Sequence, residues 1–183
     1  MFKLKDKVFY PGHGVANIDS IENKVIAESA VSFFKLQFLF KEMTILVPVK
    51  NVESIGVRAL SKLSDIDKAL NELYQPPEQK LGSVDFTPTG WNKRNKDYQL
   101  KIQRGSLAEL TKVYRDLMFI AKQKDLSFGE RNLLNMTEDL IIQEIVVVST
   151  KTRDEIIREI RAPFREYVSF EYSQSKQTPS SNL

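Results

Sequence analysis

The chain has no cysteine and a single histidine, His13. The first absence excludes disulfides, cysteine-ligated zinc, iron–sulfur clusters and thiol nucleophiles. The second excludes two-histidine metal sites and would force any Ser-His-Asp triad through His13, which sits inside a Pro-Gly-His-Gly turn. A long apolar run is also missing. The most apolar stretch, residues 140–148, is interrupted by Gln143 and Glu144 and is too short to cross a bilayer. The N-terminus, Met1-Phe-Lys-Leu-Lys-Asp-Lys, alternates charge with apolar residues and lacks the apolar centre of a signal peptide. Nor is there a large excess of one charge: 27 basic against 24 acidic residues leave +3, too little to indicate nucleic-acid binding by itself. These absences point to a cytoplasmic protein. It is either a carboxylate- or lysine-based enzyme, or a protein that works by binding.

What is present is enough for a folded core. Hydrophobic residues make up 42% of the 183 and charged residues 28%. The pattern changes near residue 60. Before it, apolar residues recur with period two. Phe34, Leu36, Phe38 and Phe40 share one face of a strand, opposite Lys35 and Gln37, and Ile45, Val47 and Val49 share a face of the next. Pro48 cannot donate to a ladder, which predicts an edge position. Lys7-Val-Phe-Tyr10 and the stretch 15–21 are further strand candidates, joined by Pro11-Gly-His-Gly14. Several short strands and tight turns in about sixty residues predict a small antiparallel barrel.

After residue 60 the signals are helical. Four hydroxyl residues are each followed three positions later by an acid: Ser64 with Asp67, Ser106 with Glu109, Ser127 with Glu130, and Thr152 with Glu155. Each pair has the form of a capping box. Leu107, Leu110, Tyr114, Leu117 and Ala121 follow at helical spacing, as do Leu133, Leu134, Met136, Leu140, Ile141 and Ile145, which predicts an all-α bundle. Pro163 should end the last helix. The expected organisation is α+β: a barrel over residues 1–60, a helical domain over 61–168 and a disordered polar tail over 169–183.

Two candidate chemistries fall away on inspection. Gly12-His-Gly14 is followed by a strand pattern, so no helix N-terminus is available to hold a phosphate. The acids lie along helix faces opposite lysines and arginines, with no motif that would raise one carboxyl pKa for catalysis. The segment from Trp91 to Arg104 stands apart, with Lys93, Arg94, Lys96, Lys101 and Arg104 against one acid, Asp97. The only tryptophan stands at its start, after a Pro-Thr-Gly loop. An ordinary helix anchored by Trp91 explains this pattern. So does a nucleic-acid contact in which an aromatic wedges at a base step while neighbouring cations hold phosphates.

The motifs together resemble a known family. Val8-Phe-Tyr-Pro-Gly-His-Gly-Val-Ala16, Met43-Thr-Ile-Leu-Val-Pro-Val49 and Ser54-Ile-Gly-Val-Arg58 are similar to the RNA-polymerase-interacting domain of the CarD/CdnL transcription regulators. A related module occurs in the bacterial transcription-repair coupling factor. Trp91-Asn-Lys-Arg94, Gly105-Ser-Leu, Val113-Tyr-Arg-Asp-Leu117 and Lys124-Asp-Leu-Ser-Phe-Gly-Glu-Arg131 extend the likeness to about residue 165, in the order seen in CarD and not in the coupling factor. The resemblance implies a Tudor-like barrel that docks on the polymerase β subunit, and a helical domain that reaches promoter DNA at the upstream fork of the bubble. There Trp91 would insert in the minor groove, with Lys93, Arg94 and Lys96 on the backbone, and stabilise the open complex without sequence-specific readout. Polymerase contacts would fall at Lys24 and Leu46, where familiar members carry arginines; lysine keeps the charge without bidentate geometry, and leucine keeps neither. The expected protein is a non-enzymatic, monomeric transcription regulator with no cofactor and no membrane contact, nucleoid-associated through the polymerase. The alternatives are a module that binds polymerase or another partner without touching DNA, and a small carboxylate or lysine enzyme.

Overall fold

A computed structural model describes residues 2–77 and 84–165. The expected disordered tail therefore lies outside the described residues. Strands β1 (Lys7–Tyr10), β2 (Gly14–Ile26), β3 (Ser29–Phe38), β4 (Thr44–Pro48) and β5 (Arg58–Ala59) form one antiparallel sheet in the order β4-β3-β2-β1-β5, with a one-turn helix α1 (Val52–Ile55) between the last two. Helices follow: α2 (Leu63–Glu72), α3 (Pro88–Arg104), α4 (Leu107–Gln123), α5 (Phe128–Val148) and α6 (Arg153–Arg161). Among the described residues, no helix is long and apolar enough to cross a membrane.

Period two fixes the sheet. Phe34, Leu36 and Phe38 are buried with Val8, Ala16, Ile18 and Val47 in one core, while Leu46 and Lys35 pair on the opposite face. Pro48 ends β4, at the sheet edge where a residue without an N–H is tolerated. The β2–β3 ribbon runs farther than its apolar pattern indicates, to Ile26 and Ser29. It turns on Ala27 and Glu28, both at positive φ, where the sequence offers neither glycine nor asparagine as a signal.

Caps start the helices. Ser127–Glu130 and Thr152–Glu155 form complete capping boxes, and Ser106 accepts from the Glu109 amide. Ser64 does not cap: α2 starts at Leu63 after Lys62, two residues earlier than the hydroxyl signal. Helix α6 ends at Arg161, and Pro163 lies in a single 3₁₀ turn beyond it.

Two cores are present, but the change of pattern at residue 60 does not mark the border between them. Phe9 and Val15, on the other face of the sheet, are fully buried within the helical core. Gly14 adopts φ +97°, and a Cβ there would collide with the side chain of Gln143 on α5. The Gln143 amide oxygen accepts from the Val15 backbone N–H at 3.3 Å. Beside it, the Glu144 carboxylate has no exposed surface. It accepts two bonds from Arg58 (2.6 and 2.8 Å) and two from Ser61, by its backbone N–H and its hydroxyl (both 2.8 Å). Arg58 also donates to the Gly105 carbonyl at 2.7 Å and lies over the Phe9 ring at 4.3 Å.

Removing one partner of a buried ion pair leaves the other uncompensated. Glu144→Leu should therefore destabilise the whole chain by about 3 kcal/mol. At roughly 2–4 °C per kcal/mol for a chain of this size, the thermal midpoint falls by about 6–12 °C in calorimetry. Retention of the parental midpoint would mean that the sheet does not depend on α5.

Candidate nucleic-acid interface

Helix α3 starts three residues before Trp91. Thr87 is its N-cap, accepting from the Gly90 N–H at 3.2 Å, and Pro88 occupies the first helical position. Asp85 completes the entry: its carboxylate accepts from the Thr87 N–H at 2.9 Å, and hydrogen bonds from the Thr87 side chain and backbone hold its pKa below the usual value. Trp91 thus stands in the first turn. It belongs to the stripe Trp91, Arg94, Tyr98 and Ile102, which faces the bundle. Tyr98 and Ile102 are fully covered. Trp91, at the open end of the stripe, is half-buried, and its ring lies across the start of α5, where a Cβ on Gly129 would stand 3.3 Å from Cζ2.

Arg94 is not on the surface expected of a phosphate contact. It is only 9% exposed, donates to the Asp85 carbonyl and faces the buried Glu130 carboxylate at 3.6 Å. The i+3 step from Trp91 carries it inward, a placement that a count of basic residues cannot reveal. Lys93 and Lys96 are exposed, one turn apart on the outer face of α3, and make no ion pair among the described residues. Lys101, by contrast, is paired with Asp97 at 3.2 Å.

Sequence reasoning missed Phe128. It follows the Ser127 N-cap, adjoins the glycine on which the Trp91 ring rests, and is 82% exposed, the most exposed large hydrophobic residue described. The signal was available: an aromatic in the first turn of a helix, outside the stripe that Leu133, Leu140 and Ile141 define. Lys124 lies close by. Its ammonium bonds Glu130 at 2.5 Å and stands 5.8 Å from the Phe86 ring. Burial pushes the Glu130 carboxyl up, but the Lys124 ammonium and the Ser127 donors together hold it below its usual range.

The second expected surface is the outer face of the sheet. Lys24 is half-exposed and ion-pairs with Glu22 at 3.4 Å; Leu46 is half-buried and pairs in register with Lys35. Alternation along β2 and β3 puts Lys24, Lys35, Phe33, Leu46 and Pro48 on one face. His13, in the β1–β2 turn, packs edge-on against Tyr10 (5.3 Å) and Phe38 (5.9 Å). Burial, with the nearby Lys41 charge, lowers its pKa. It is a packing residue. Among the described residues no group of acids and histidine could hold a metal ion.

Comparison with known proteins agrees with the residue-level reading over both halves. The model of the CarD-like/TRCF RID domain matches residues 2–61, and that of the CarD C-terminal domain matches residues 82–161. YdeB of Bacillus subtilis (strain 168), provisionally named a transcription factor, is 28% identical over 156 residues, covering 85% of this chain and 97% of its own. The 72-residue N-terminal domain of Myxococcus xanthus CarD, solved by NMR in solution, is 29% identical, covering 32% of this chain and 79% of that domain, with a TM-score of 0.29.

The two aromatics should respond differently to truncation. Trp91→Ala removes a half-buried ring and should cost about 1–2 kcal/mol, well under the 3–5 of a fully buried one. Phe128→Ala should stay within about 0.5 kcal/mol of the parent, as an exposed position does. Urea titration of both variants checks this, and equal losses would mean that Phe128 is covered.

Proposed function

The chain belongs to the CarD-like family, and from that premise we propose that it is a non-enzymatic transcription regulator that binds the β subunit of bacterial RNA polymerase and promoter DNA together, stabilising the open complex. The observation that carries the DNA half is the surface built at the joined starts of α3 and α5. There the half-buried Trp91 ring rests on Gly129, whose neighbour in sequence, Phe128, is exposed, and Lys93 and Lys96 stand on the outer face of α3 without ion pairs among the described residues. Apolar rings at a helix start, with unpaired cations on the outer face of its first turns, suit an unstacked base step flanked by phosphates.

The action follows from differential affinity. At a fork junction the bases are already partly unstacked, so inserting a ring there costs less than the few kcal/mol of wedging into intact duplex. A protein that gains this contact only with melted DNA shifts the closed–open equilibrium toward the open state. Packing on Gly129 holds the Trp91 ring in place before binding, which reduces the entropy lost on contact. The polymerase supplies the placement, so a net charge of +3 suffices. In this reading Lys93 and Lys96 hold phosphates, and Arg94 serves from inside.

Polymerase docking is assigned to the outer β3–β4 face. Leu46, Phe33 and Pro48 supply apolar area there, and Lys24 and Lys35 supply charge. A second reading, in which the protein binds polymerase without touching DNA, draws on the packing of Trp91 against the bundle; the same measurements separate the two.

Open-complex half-life on a linear promoter tests the DNA contact. Trp91→Ala should abolish most of the added lifetime while polymerase binding stays parental. Lys93→Ala with Lys96→Ala should reduce the steepness of the salt dependence by about two phosphate contacts. Parental lifetimes in both variants would favour the reading without DNA.

Leu46→Glu should weaken polymerase binding by roughly 1–2 kcal/mol in a co-elution or fluorescence titration, as loss of an interface anchor does. The thermal midpoint should hold, because Leu46 points away from the sheet core. Val47→Glu, which buries a charge, should unfold the protein instead.

A further inference from the structure

The contacts around Trp91 close into a circuit. The Trp91 N–H donates to the Thr87 carbonyl at 2.9 Å, and Gly90 before it leaves no room for a side chain against Asp85. The Asp85 carbonyl accepts from Arg94, Arg94 faces Glu130 at 3.6 Å, and Glu130 accepts from the Ser127 N–H at 2.8 Å as the closing half of the α5 capping box. Gly129, between Ser127 and Glu130, carries the ring. Apart from the chain link between Ser127 and Gly129, the steps from Trp91 back to Trp91 are hydrogen bonds, an ion pair and close packing contacts.

Stability does not explain this polar arrangement. The Arg94 Nε and Nη2 atoms are buried without a hydrogen-bond partner. A buried unsatisfied donor is costly, and an apolar side chain of similar volume in place of a buried ion pair is often neutral or stabilising. Capping does not explain it either: the Ser127–Glu130 box is complete without Arg94, and the Lys124 ammonium already neutralises the carboxylate. What the guanidinium adds is directional. Lys124 also spans from Glu130 to the loop entering α3, but meets it only across the Phe86 ring at 5.8 Å, whereas Arg94 hydrogen-bonds the loop itself, at the Asp85 carbonyl, and faces Glu130 at the start of α5. In some proteins, buried polar groups retained at a net cost fix one arrangement over others.

We propose that Arg94 and Glu130 are positioning residues, which set the orientation in which Trp91 is presented at the joined starts of α3 and α5. This rests on the reading of Trp91 as the DNA contact. A phosphate-binding arginine would leave the Trp91 environment unchanged when removed. A positioning arginine would let the ring move while the fold survives.

The chain carries a single tryptophan, so its fluorescence reports on this ring alone. In the full-length protein, Arg94→Met should keep or raise the thermal midpoint, yet increase acrylamide quenching of Trp91 about twofold. With purified polymerase it should shorten open-complex half-life about fivefold, equivalent to roughly 1 kcal/mol. Arg94→Lys, which restores charge without the fork, should recover part of both. If Arg94→Met fails to fold, Glu130→Gln carries the test, because its amide still accepts from Ser127; the same rise in quenching is expected. Parental quenching and half-life in a folded Arg94→Met or Glu130→Gln protein would overturn the positioning role. Trp91→Ala measured alongside separates the two failures. If Trp91→Ala shortens the half-life and Arg94→Met does not, only the positioning role falls. If Trp91→Ala leaves the half-life parental, the DNA reading falls, and the role with it.

Discussion

A carboxylate with no exposed surface sits about one turn from the C-terminal end of α5, and the molecule is arranged so that it can be there. Glu144 is tolerable only because Arg58 brings a forked cation and Ser61 brings two further donors. Meeting that demand puts β5 and the start of α2 against α5. Arg58 in turn lies over Phe9 and bonds the carbonyl of Gly105, so β1 and the α3–α4 turn are drawn to the same point. Gln143, one residue away, reaches the β1–β2 turn. The sheet is thereby held on the bundle by directional contacts as well as apolar ones. The β3–β4 face and the start of α3 are linked through one polar centre.

That arrangement gives the proposed function its mechanical sense. A regulator that grips polymerase with one surface and DNA with another needs a fixed vector between them, because tether slack would lower the effective concentration of the wedge at the fork. The cost is conformational adaptability. The same logic recurs at smaller scale around Trp91, where the ring is seated on Gly129 and its loop is fastened to Asp85.

The elements most legible in the sequence are those fixed by local rules. The alternation of Phe34, Leu36 and Phe38 and the box Ser127–Glu130 each state a physical requirement within a few residues, and the structure keeps both. The extension of the β2–β3 ribbon was not legible, since Ala27 and Glu28 carry no left-handed preference and the strands beyond Ile21 lack a buried face. Nor were the inward turn of Arg94 and the exposure of Phe128. Both depend on where α5 crosses α3, a tertiary fact that spacing along one helix does not contain. Lys93 and Lys96 are exposed as composition suggested. The placement of Phe9 and Val15 in the helical core was hidden because both read as ordinary strand residues. A period-two pattern says which side chains share a face, and nothing about whether the second face is wet.

The contacts between the sheet and α5 also set an order of events during synthesis. Arg58 and Glu144 are 86 positions apart. At about 5–20 residues per second, the strands leave the ribosome roughly 4–17 s before their partner on α5 does. In that interval Phe9 and Val15 face solvent, and β5 is an uncovered edge, the situation that invites pairing with a neighbouring nascent chain. Contacts of such long sequence separation slow folding in general. The early half of this chain must therefore wait as a sheet with one face uncovered, and chaperone dependence should be concentrated there.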